Sequence, residues 1–438
     1  MIIDNTTLQD LAIFHAEEEQ SVFSTLNFTE TSGGAQWLQH LLQHPHSEIK
    51  PILETQQLLQ LFVQELPRWP NNITNGTIMV LQKFYQSQVD KIPFGAGSIN
   101  ALSYKLLHGP DYSLIRYTVG HAIDFLKGMH EFTSLFDANN APALLRTMVS
   151  SIQITLKKPG AQALLAVASK TDLGPADYLQ HGHFLLYHYK RQINELIELH
   201  GRLEAYMSLA KAIEVHQLHF PTVEVQPEPS LTATGLWHIL LKQPVSYELT
   251  LNNHSHFIFL TGANMAGKST FIKAVGIATF LAHLGMAVPA ESMQLSLFDG
   301  ILSNIQVSDN IVKGESYFYN EVQRIKTTIT RITDGGKWLV LIDELFKGTN
   351  VQDAMRCSST VIKGLLNIKN ALFVLSTHLY EIGEELKPFP TIAFKYFETH
   401  VTGDDLSFSY QLKDGISNDR LGYLILKREG VVDMIEKL

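Results

Sequence analysis

The sequence feature that most constrains this chain is a glycine-rich segment after the apolar run at residues 257–260. It reads Gly262, Ala263, Asn264, Met265, Ala266, Gly267, Lys268, Ser269, Thr270. The segment fits the pattern G-x-x-x-x-G-K-[ST], and its context predicts a strand, a tight turn and the start of a helix. Gly262 and Gly267 can adopt conformations closed to other residues. Lys268 supplies a cation, Ser269 offers a hydroxyl to Mg²⁺, and the helix from Thr270 points its positive end at a phosphate. We therefore predict that residues 262–270 bind a nucleotide.

Composition indicates a cytoplasmic, multidomain chain. With 438 residues and 45% apolar side chains, the chain can bury one large core or two to three ordinary ones. The single cysteine, Cys357, excludes an internal disulfide, and the first residues lack the basic region of a secretory signal. The longest apolar stretch, residues 274–290, is interrupted by polar residues and is too short for a membrane helix. We interpret it as the buried helix after the glycine loop.

The charge pattern shows no extended basic face. The formal net charge is −9, and neither half of the chain is net positive. A protein whose main task is to grip duplex DNA usually carries such a face, because it displaces counterions from the phosphates. Local basic patches stay open, so DNA and a protein partner are both retained as candidate partners.

The pattern along the chain predicts two domains. Apolar residues recur every three or four positions in the first half, as at Leu58, Leu61 and Phe62, which is typical of helices. Three prolines within residues 221–230 break this pattern and favour an extended connector. Beyond them, apolar strands alternate with helical segments. The expected fold is therefore a mostly helical domain over 1–228, followed by an α/β domain with a largely parallel sheet over 229–438.

Polar residues follow two further apolar runs. Asp343 and Glu344 end the run at 338–342, and His378 follows the run at 372–375. Beside a glycine loop, Asp343 can hold magnesium and Glu344 can orient or deprotonate an attacking water, since phosphoryl transfer relies on positioning and charge stabilisation. His378 can contact the outer phosphate or that water. We predict Glu344, His378 and Lys268 as catalytic residues, and Ser269 and Asp343 as the magnesium ligands.

Several segments together resemble the MutS family of DNA mismatch repair ATPases. Thr261 to Thr270 is similar to the family's glycine loop, in which the Asn264-Met265 pair is distinctive. Other matching segments are Leu281 to Ala290, Ser308-Asp309-Asn310, Ser316 to Glu321, Asp343 to Asn350 and Ser376-Thr377-His378. More loosely, Ser21 to Asn27 followed by Thr31 to Gly34 resembles the start of the family's helical core, or lever, domain.

The resemblance implies an ATP- and Mg²⁺-dependent homodimer with composite sites. Ser316 of one subunit would complete the nucleotide site built by Lys268, Asp343 and His378 of the other. Such a site links ATP binding to closure of the two subunits and hydrolysis to their release. From the residues alone, Ser316 is better interpreted as a helix N-cap.

The sequence also departs from the family pattern. It resembles the family from the lever domain onward, so we expect the mismatch-reading and connector domains to be lacking. The family's extra C-terminal dimerising helices are also expected to be absent. Ala266 and Phe346 replace glycines, and Lys347 replaces an arginine, which bears on the loop geometry and the hydrolysis rate.

Two functional hypotheses follow from different classes. The first is a dimeric MutS-type P-loop ATPase that uses ATP to switch its helical arms, on DNA in repair or recombination and without reading mismatches. The alternative is an ATP-gated scaffold that hydrolyses slowly and acts through a protein partner without recognising DNA directly. A transport or chromosome-type ATPase shares the same site logic but fits the Asn264-Met265 pair and the first half less well.

Overall fold

The chain folds into two compact units, each assembled from separated stretches of sequence. The computed structural model describes residues 1–15, 17, 20–70, 72–95, 97–136, 141–306, 317–402, 405–417 and 426–436. One unit, the sheet unit, comprises Met1–Thr25, Leu42–Gln56 and Val215–Leu438. The other, the helical unit, comprises Leu26–Leu41 and Gln57–Glu214.

The first half of the chain is mostly helical. Its helices are α1 (Asn5–Asp10), α2 (Val22–Leu26), α3 (Ser32–Gln43), α4 (Ile49–Glu65), α5 (Asn75–Phe84), α6 (Ser98–Leu107), α7 (Gly109–Ser134), α8 (Ala143–Leu156), α9 (Pro159–Leu165), α10 (Pro175–His188) and α11 (Lys190–His216). The apolar stripes of the sequence are their buried faces: Leu58 and Phe62 of α4 and Ile193 and Leu196 of α11 are fully buried. In α7, Pro110 lies in the first turn, where proline is tolerated.

The sheet unit contains two sheets. Its strands are β1 (Ile2–Ile3), β2 (Thr222–Glu224), β3 (Leu231–Leu236), β4 (Tyr247–Leu251), β5 (Phe257–Thr261), β6 (Ser292–Ser296), β7 (Gly300–Asn304), β8 (Trp338–Asp343), β9 (Ala371–Ser376), β10 (Ile392–Thr402) and β11 (Asp405–Asp414). The larger sheet has the order β1-β7-β8-β9-β5-β10-β11 and is parallel except for the pairing of β10 with β11. The smaller sheet has the order β2-β6-β3-β4 and is mainly antiparallel.

The described residues of the second half of the chain include five helices. They are α12 (Lys268–His283), α13 (Tyr317–Ile332), α14 (Val351–Leu365), α15 (Glu381–Leu386) and α16 (Val431–Glu436). Of the apolar stretch 274–290, residues 274–283 are the entirely buried part of α12, as predicted, but residues 284–290 lie beyond the end of that helix at His283. No helix within the described ranges has both the length and the apolar character needed to cross a bilayer.

The centre of the larger sheet fixes where polar side chains gather. Strands β8, β9 and β5 are adjacent and parallel, and all their residues are buried. In register, Ile342 lies opposite Leu375, and Leu375 lies opposite Phe259. Because neighbouring parallel strands end at the same edge, the residues that follow β5, β8 and β9 meet there.

The first strand belongs to the sheet rather than to the helical region. Ile2 pairs with Gly300 and Ile3 with Ile301 of β7, and residues 1–25 lie in the sheet unit. The domain boundary expected between residues 228 and 229 stays a prediction. The two compact units divide the chain differently, because the sheet unit also includes residues 1–25 and 42–56. A strand of two residues gives no periodicity that sequence reasoning could detect.

Candidate functional site

The glycine loop connects the central strand β5 to helix α12. Its backbone turns through the left-handed region at Gly262 (φ 138°), Met265 (φ 69°) and Gly267 (φ 108°). A Cβ on Gly262 would also lie 3.3 Å from backbone atoms of Phe397, so both space and conformation require glycine there. Ala266 is buried and has no positive φ, and an alanine therefore fits this position of the loop.

Lys268 is a buried cation held by the loop's own carbonyl groups. Its Nζ donates to the carbonyl oxygens of Gly262 (2.8 Å) and Ala263 (2.9 Å), and His378 Nε2 lies 3.4 Å away. Burial lowers the pKa of Lys268 to about 8, although the charges of Glu344 and Asp343 oppose this shift. Neutral carbonyls do not compensate a buried ammonium charge, so this position favours an anion.

An oxygen-rich pair of side chains lies beside the lysine. Ser269 Oγ donates to Asp343 Oδ2 at 2.5 Å, and Ser376 Oγ donates to Asp343 Oδ1. Mg²⁺ prefers oxygen ligands and is usually bound through one or two protein groups together with waters and substrate phosphates. The hydroxyl of Ser269 and the carboxylate of Asp343 fit that requirement.

Glu344 supplies a second carboxylate to the site, and its backbone conformation is strained. Its φ is 65°, which costs a non-glycine residue about 1–2 kcal/mol. His378 Nε2 lies 2.7 Å from Glu344 Oε1, and Lys347 Nζ lies 3.3 Å from Oε2. Burial disfavours the charged form, yet the hydrogen bond from His378 and the charges of His378 and Lys347 lower the pKa of Glu344 to about 2. The carboxylate is therefore ionised at neutral pH.

Helix α13 holds the loop that follows Glu344. The buried carboxylate of Glu321 accepts hydrogen bonds from the backbone N–H groups of Lys347 (3.1 Å) and Gly348 (3.2 Å). A Cβ on Gly348 would lie 2.8 Å from the backbone nitrogen of Phe318. The sequence alone assigns no role to Glu321. The feature of the sequence that could have revealed it is an acidic residue at helical spacing on the same face as Ile325, Thr328 and Ile332, which is buried.

Phe346 occupies a position where the family pattern has glycine. Its φ is 60°, and its buried ring lies 5.8 Å from that of Phe318. Replacement by glycine relieves about 1–2 kcal/mol of backbone strain but removes a buried aromatic ring worth about 3–5 kcal/mol. We expect Phe346→Gly to lower the free energy of unfolding by about 1–4 kcal/mol, measured by urea denaturation. Unchanged or increased stability would show that the ring contributes little.

A cavity of about 480 Å³ opens beside the glycine loop. Four apolar or aromatic wall residues line it, together with Gln243, Glu344 and residues of the loop and the start of α12; the four are Leu241, Val245, Tyr247 and Tyr410. The ring of Tyr247 is buried and packs edge-on, 5.3 Å from that of Phe271. Cavities of this size with apolar and aromatic walls are typical of small-molecule sites. None of the four wall residues lies in a sequence motif, so sequence reasoning missed them.

The lowered pKa of Lys268 predicts how anion binding depends on pH. A bound polyphosphate would raise that pKa, so protonation and binding favour each other. Affinity for Mg-ATP should therefore be constant below pH 8 and fall towards about tenfold per pH unit above it. Titration with a fluorescent ATP analogue between pH 7 and 9.5 measures this. The dependence should be absent in Lys268→Arg, whose guanidinium stays protonated. Constant wild-type affinity up to pH 9.5 would contradict the assignment.

The structure brings five of the predicted site residues together at one edge of the sheet. Lys268, Ser269, Asp343, Glu344 and His378 are joined by the contacts described above. Ser308, Asp309, Asn310 and Ser316 lie outside the described residues. The chemical roles of all of these residues stay predictions.

A central strand, a glycine loop and a helix that begins with a buried lysine place the sheet unit in the P-loop class of α/β domains. Residues 258–436 match the family model described as MutS domain V. These residues therefore belong to the MutS family as its domain V, and similarity to MutS proteins extends over almost the whole chain.

Curated relatives are similar to different shares of the chain. A DNA mismatch repair protein MutS from Thermotoga sp. (strain RQ2) is 22% identical over 99% of this chain and 64% of its own length. A protein of the same name from Petrotoga mobilis is 29% identical over 57% of this chain and 31% of its own length. The Drosophila melanogaster DNA mismatch repair protein spellchecker 1 is 29% identical over 47% of this chain and 24% of its own length. The chain thus spans less than two thirds of each of these relatives.

Proposed function

We propose that the chain binds ATP with Mg²⁺ at the glycine loop and hydrolyses it, as a dimeric switch that acts on DNA in repair or recombination. The observation that carries this proposal is the meeting of a buried lysine, a serine–aspartate pair and an ionised glutamate at one sheet edge. These are the groups that phosphoryl transfer to water requires: a cation, a magnesium site and a group that orients the attacking water.

Each group has a distinct part in the proposed reaction. Lys268 and the backbone N–H groups of residues 262–270 bind the outer phosphates. Ser269 and Asp343 hold Mg²⁺, which neutralises developing charge when it is bound. Glu344, ionised and hydrogen-bonded to His378, orients the attacking water and accepts its proton, and His378 senses the outer phosphate.

The cavity wall supports a nucleoside as the rest of the ligand. Tyr247 and Tyr410 offer aromatic rings, and Leu241 and Val245 offer apolar surface. A purine base buries its faces against such side chains. The cavity adjoins the phosphate loop, so one molecule can reach both parts. We assign the base to this wall and expect ATP to bind more tightly than inorganic triphosphate.

The action on DNA rests on the relatives. Their printed names describe DNA mismatch repair proteins, and one alignment covers almost all of this chain. We propose that two copies form a dimer in which Ser316 of each completes the other's site. We also propose that the helical unit is the lever that the nucleotide moves, and that the protein works in the cytoplasm. Recognition of mismatches is not part of this proposal, because the chain matches only part of those relatives.

Two contacts of Glu344 favour the alternative, a slowly hydrolysing scaffold. Both oxygens of Glu344 are engaged, one by His378 and the other by Lys347. Each oxygen can still accept a hydrogen bond from water, but these contacts keep the pKa of Glu344 low, which makes the carboxylate a weak proton acceptor and slows turnover. A protein that remains long in the ATP state is suited to act through binding to a protein partner rather than through repeated cycles.

ATP turnover in the presence of DNA separates the two functions. We would measure it with the purified chain alone and with homoduplex, mismatched or branched DNA, each at two salt concentrations. The proposal predicts stimulation by DNA that weakens as salt rises, because phosphate contacts release counterions. Turnover that is indifferent to every DNA would support the scaffold. Absence of ATP binding would refute both.

A further inference from the structure

Helix α6 of the helical unit presents a row of large apolar side chains to solvent. Ala101 and Tyr104 are buried on its inner side. On the outer side, Ile99, Leu102 and Leu106 are 82%, 52% and 77% exposed. Their spacing of three and then four residues places them on one face of the helix. The sequence pattern alone would have predicted a buried face here.

Two neighbouring residues enlarge this surface. Phe94 precedes the helix and Leu107 ends it, and both are exposed by about four fifths. We call the five residues Phe94, Ile99, Leu102, Leu106 and Leu107 the α6 stripe. Together they expose roughly 600 Å² of apolar surface, which is at the upper limit for a typical monomer. A stable protein interface covers about 800 Å² on each partner, so the stripe is large enough to form most of one.

The pattern of the stripe fits a second copy of the same helix. Positions 99 and 106 lie symmetrically about the point between residues 102 and 103. Two α6 helices that cross antiparallel therefore place Ile99 of each opposite Leu106 of the other. An interface about a twofold axis requires this self-complementarity.

Charge also favours self-association over other occupants. Lys105 is the only charged residue between Ser98 and Leu107. Two such helices meet without strong repulsion, even though each chain carries a formal net charge of −9. An interfacial membrane helix is expected to carry several basic residues beside its apolar face, and α6 has one.

We propose that the α6 stripe is a self-association surface on which a second copy of this chain docks, α6 against α6. This contact is separate from the nucleotide site and goes beyond the ATP-driven function. It joins the helical units of two copies whether or not nucleotide is bound.

Introducing acidic side chains into the stripe tests the proposal with the full chain. Sedimentation equilibrium of Leu102→Glu/Leu106→Glu should show a dissociation constant for self-association at least tenfold above that of the wild type. The matched control, Ser98→Glu/Asn100→Glu, adds the same charge to exposed positions of α6 outside the stripe and should stay within twofold. Both variants should keep the wild-type circular dichroism spectrum and ATP affinity, since neither alters the core or the nucleotide site.

A disulfide tests the antiparallel arrangement directly. In a Cys357→Ser background, Ser103→Cys lies beside the centre of the stripe, where two copies bring their Cα atoms close. Mild oxidation should convert most of this variant to a covalent dimer. Ser151→Cys, exposed on α8, should form far less.

Three outcomes would overturn the proposal. They are a wild type that stays monomeric at 100 μM with and without Mg-ATP, equal association of the Leu102→Glu/Leu106→Glu variant and the wild type, and equal oxidation of the two cysteine variants. A further measurement is flotation with vesicles of phosphatidylcholine and phosphatidylserine. If the wild type and the control variant float with the vesicles and the Leu102→Glu/Leu106→Glu variant does not, the stripe binds a lipid surface instead. Loss of ATP binding in the wild type would refute the proposed ATPase function and leave these association measurements unaffected.

Discussion

Replacing Glu344 by glutamine is expected to slow ATP turnover by about 10²–10⁴-fold while ATP binding remains within a few fold of the wild type. Glutamine has the same shape, and its carbonyl oxygen can still accept the hydrogen bond from His378 that the carboxylate accepts at 2.7 Å. It cannot accept a proton from water, however, and it lacks the negative charge that a pKa of about 2 guarantees at neutral pH. The variant should therefore accumulate in the ATP-bound state. Single-turnover hydrolysis and equilibrium binding of Mg-ATP measure the two effects separately.

A matched carboxylate provides the control for this variant. Glu384 lies on α15 in the same unit and pairs with Lys387 at 2.7 Å on the surface. Glu384→Gln should leave turnover unchanged, because exposed ion pairs contribute little. If Glu344→Gln hydrolyses ATP as fast as the wild type, Glu344 does not activate the water.

Replacing Lys268 by methionine should weaken Mg-ATP binding by at least about tenfold. Each charge-assisted hydrogen bond contributes about 1.5–3 kcal/mol to binding, and the outer phosphates would lose the bond from the Lys268 ammonium group. The fold itself should not suffer. Burial has already lowered the pKa of Lys268 to about 8, so a neutral chain of similar length removes a desolvation cost. Isothermal titration calorimetry measures the affinity, and thermal unfolding without nucleotide measures the stability.

Lys273 offers the comparison for this second variant. It lies on α12 beyond the first turn and does not line the cavity. Lys273→Met should bind ATP as the wild type does. A Lys268→Met variant that keeps wild-type affinity would show that the phosphates lie elsewhere, and a large loss of its thermal stability would show that the lysine is structural.

The central strands and the polar residues after them could be predicted from the sequence. The apolar runs at 257–260, 338–342 and 372–375 correspond within one residue at each end to β5, β8 and β9. Parallel strands that are buried on both faces are continuous apolar runs, and this signal is strong. Because such strands end at one edge, the proximity of Lys268, Asp343 and His378 follows from the same pattern.

Other parts of the site depend on contacts that are distant in sequence. Tyr410 lies on the hairpin of β10 and β11, yet it lines the same cavity as Leu241, about 170 residues earlier. No motif in the neighbouring sequence indicates that either residue lines a cavity. The left-handed backbone at Glu344 and Phe346 is also invisible, because side chains of this kind do not normally favour it. The surrounding packing imposes that conformation.

The pairing of β1 with β7 has a consequence for how the protein is made. Ile2 donates its backbone N–H to the carbonyl of Asp299. Strand β1 therefore cannot pair until residues almost three hundred positions later in the chain have been translated. At ordinary rates of synthesis this delay lasts about 15–60 s. The residues of the helical unit, 26–41 and 57–214, leave the ribosome completely during that interval, and this unit can fold first. A fragment cut at residue 229 would leave the edge of β7 uncovered, and we expect it to aggregate through that edge even if its nucleotide loop is intact.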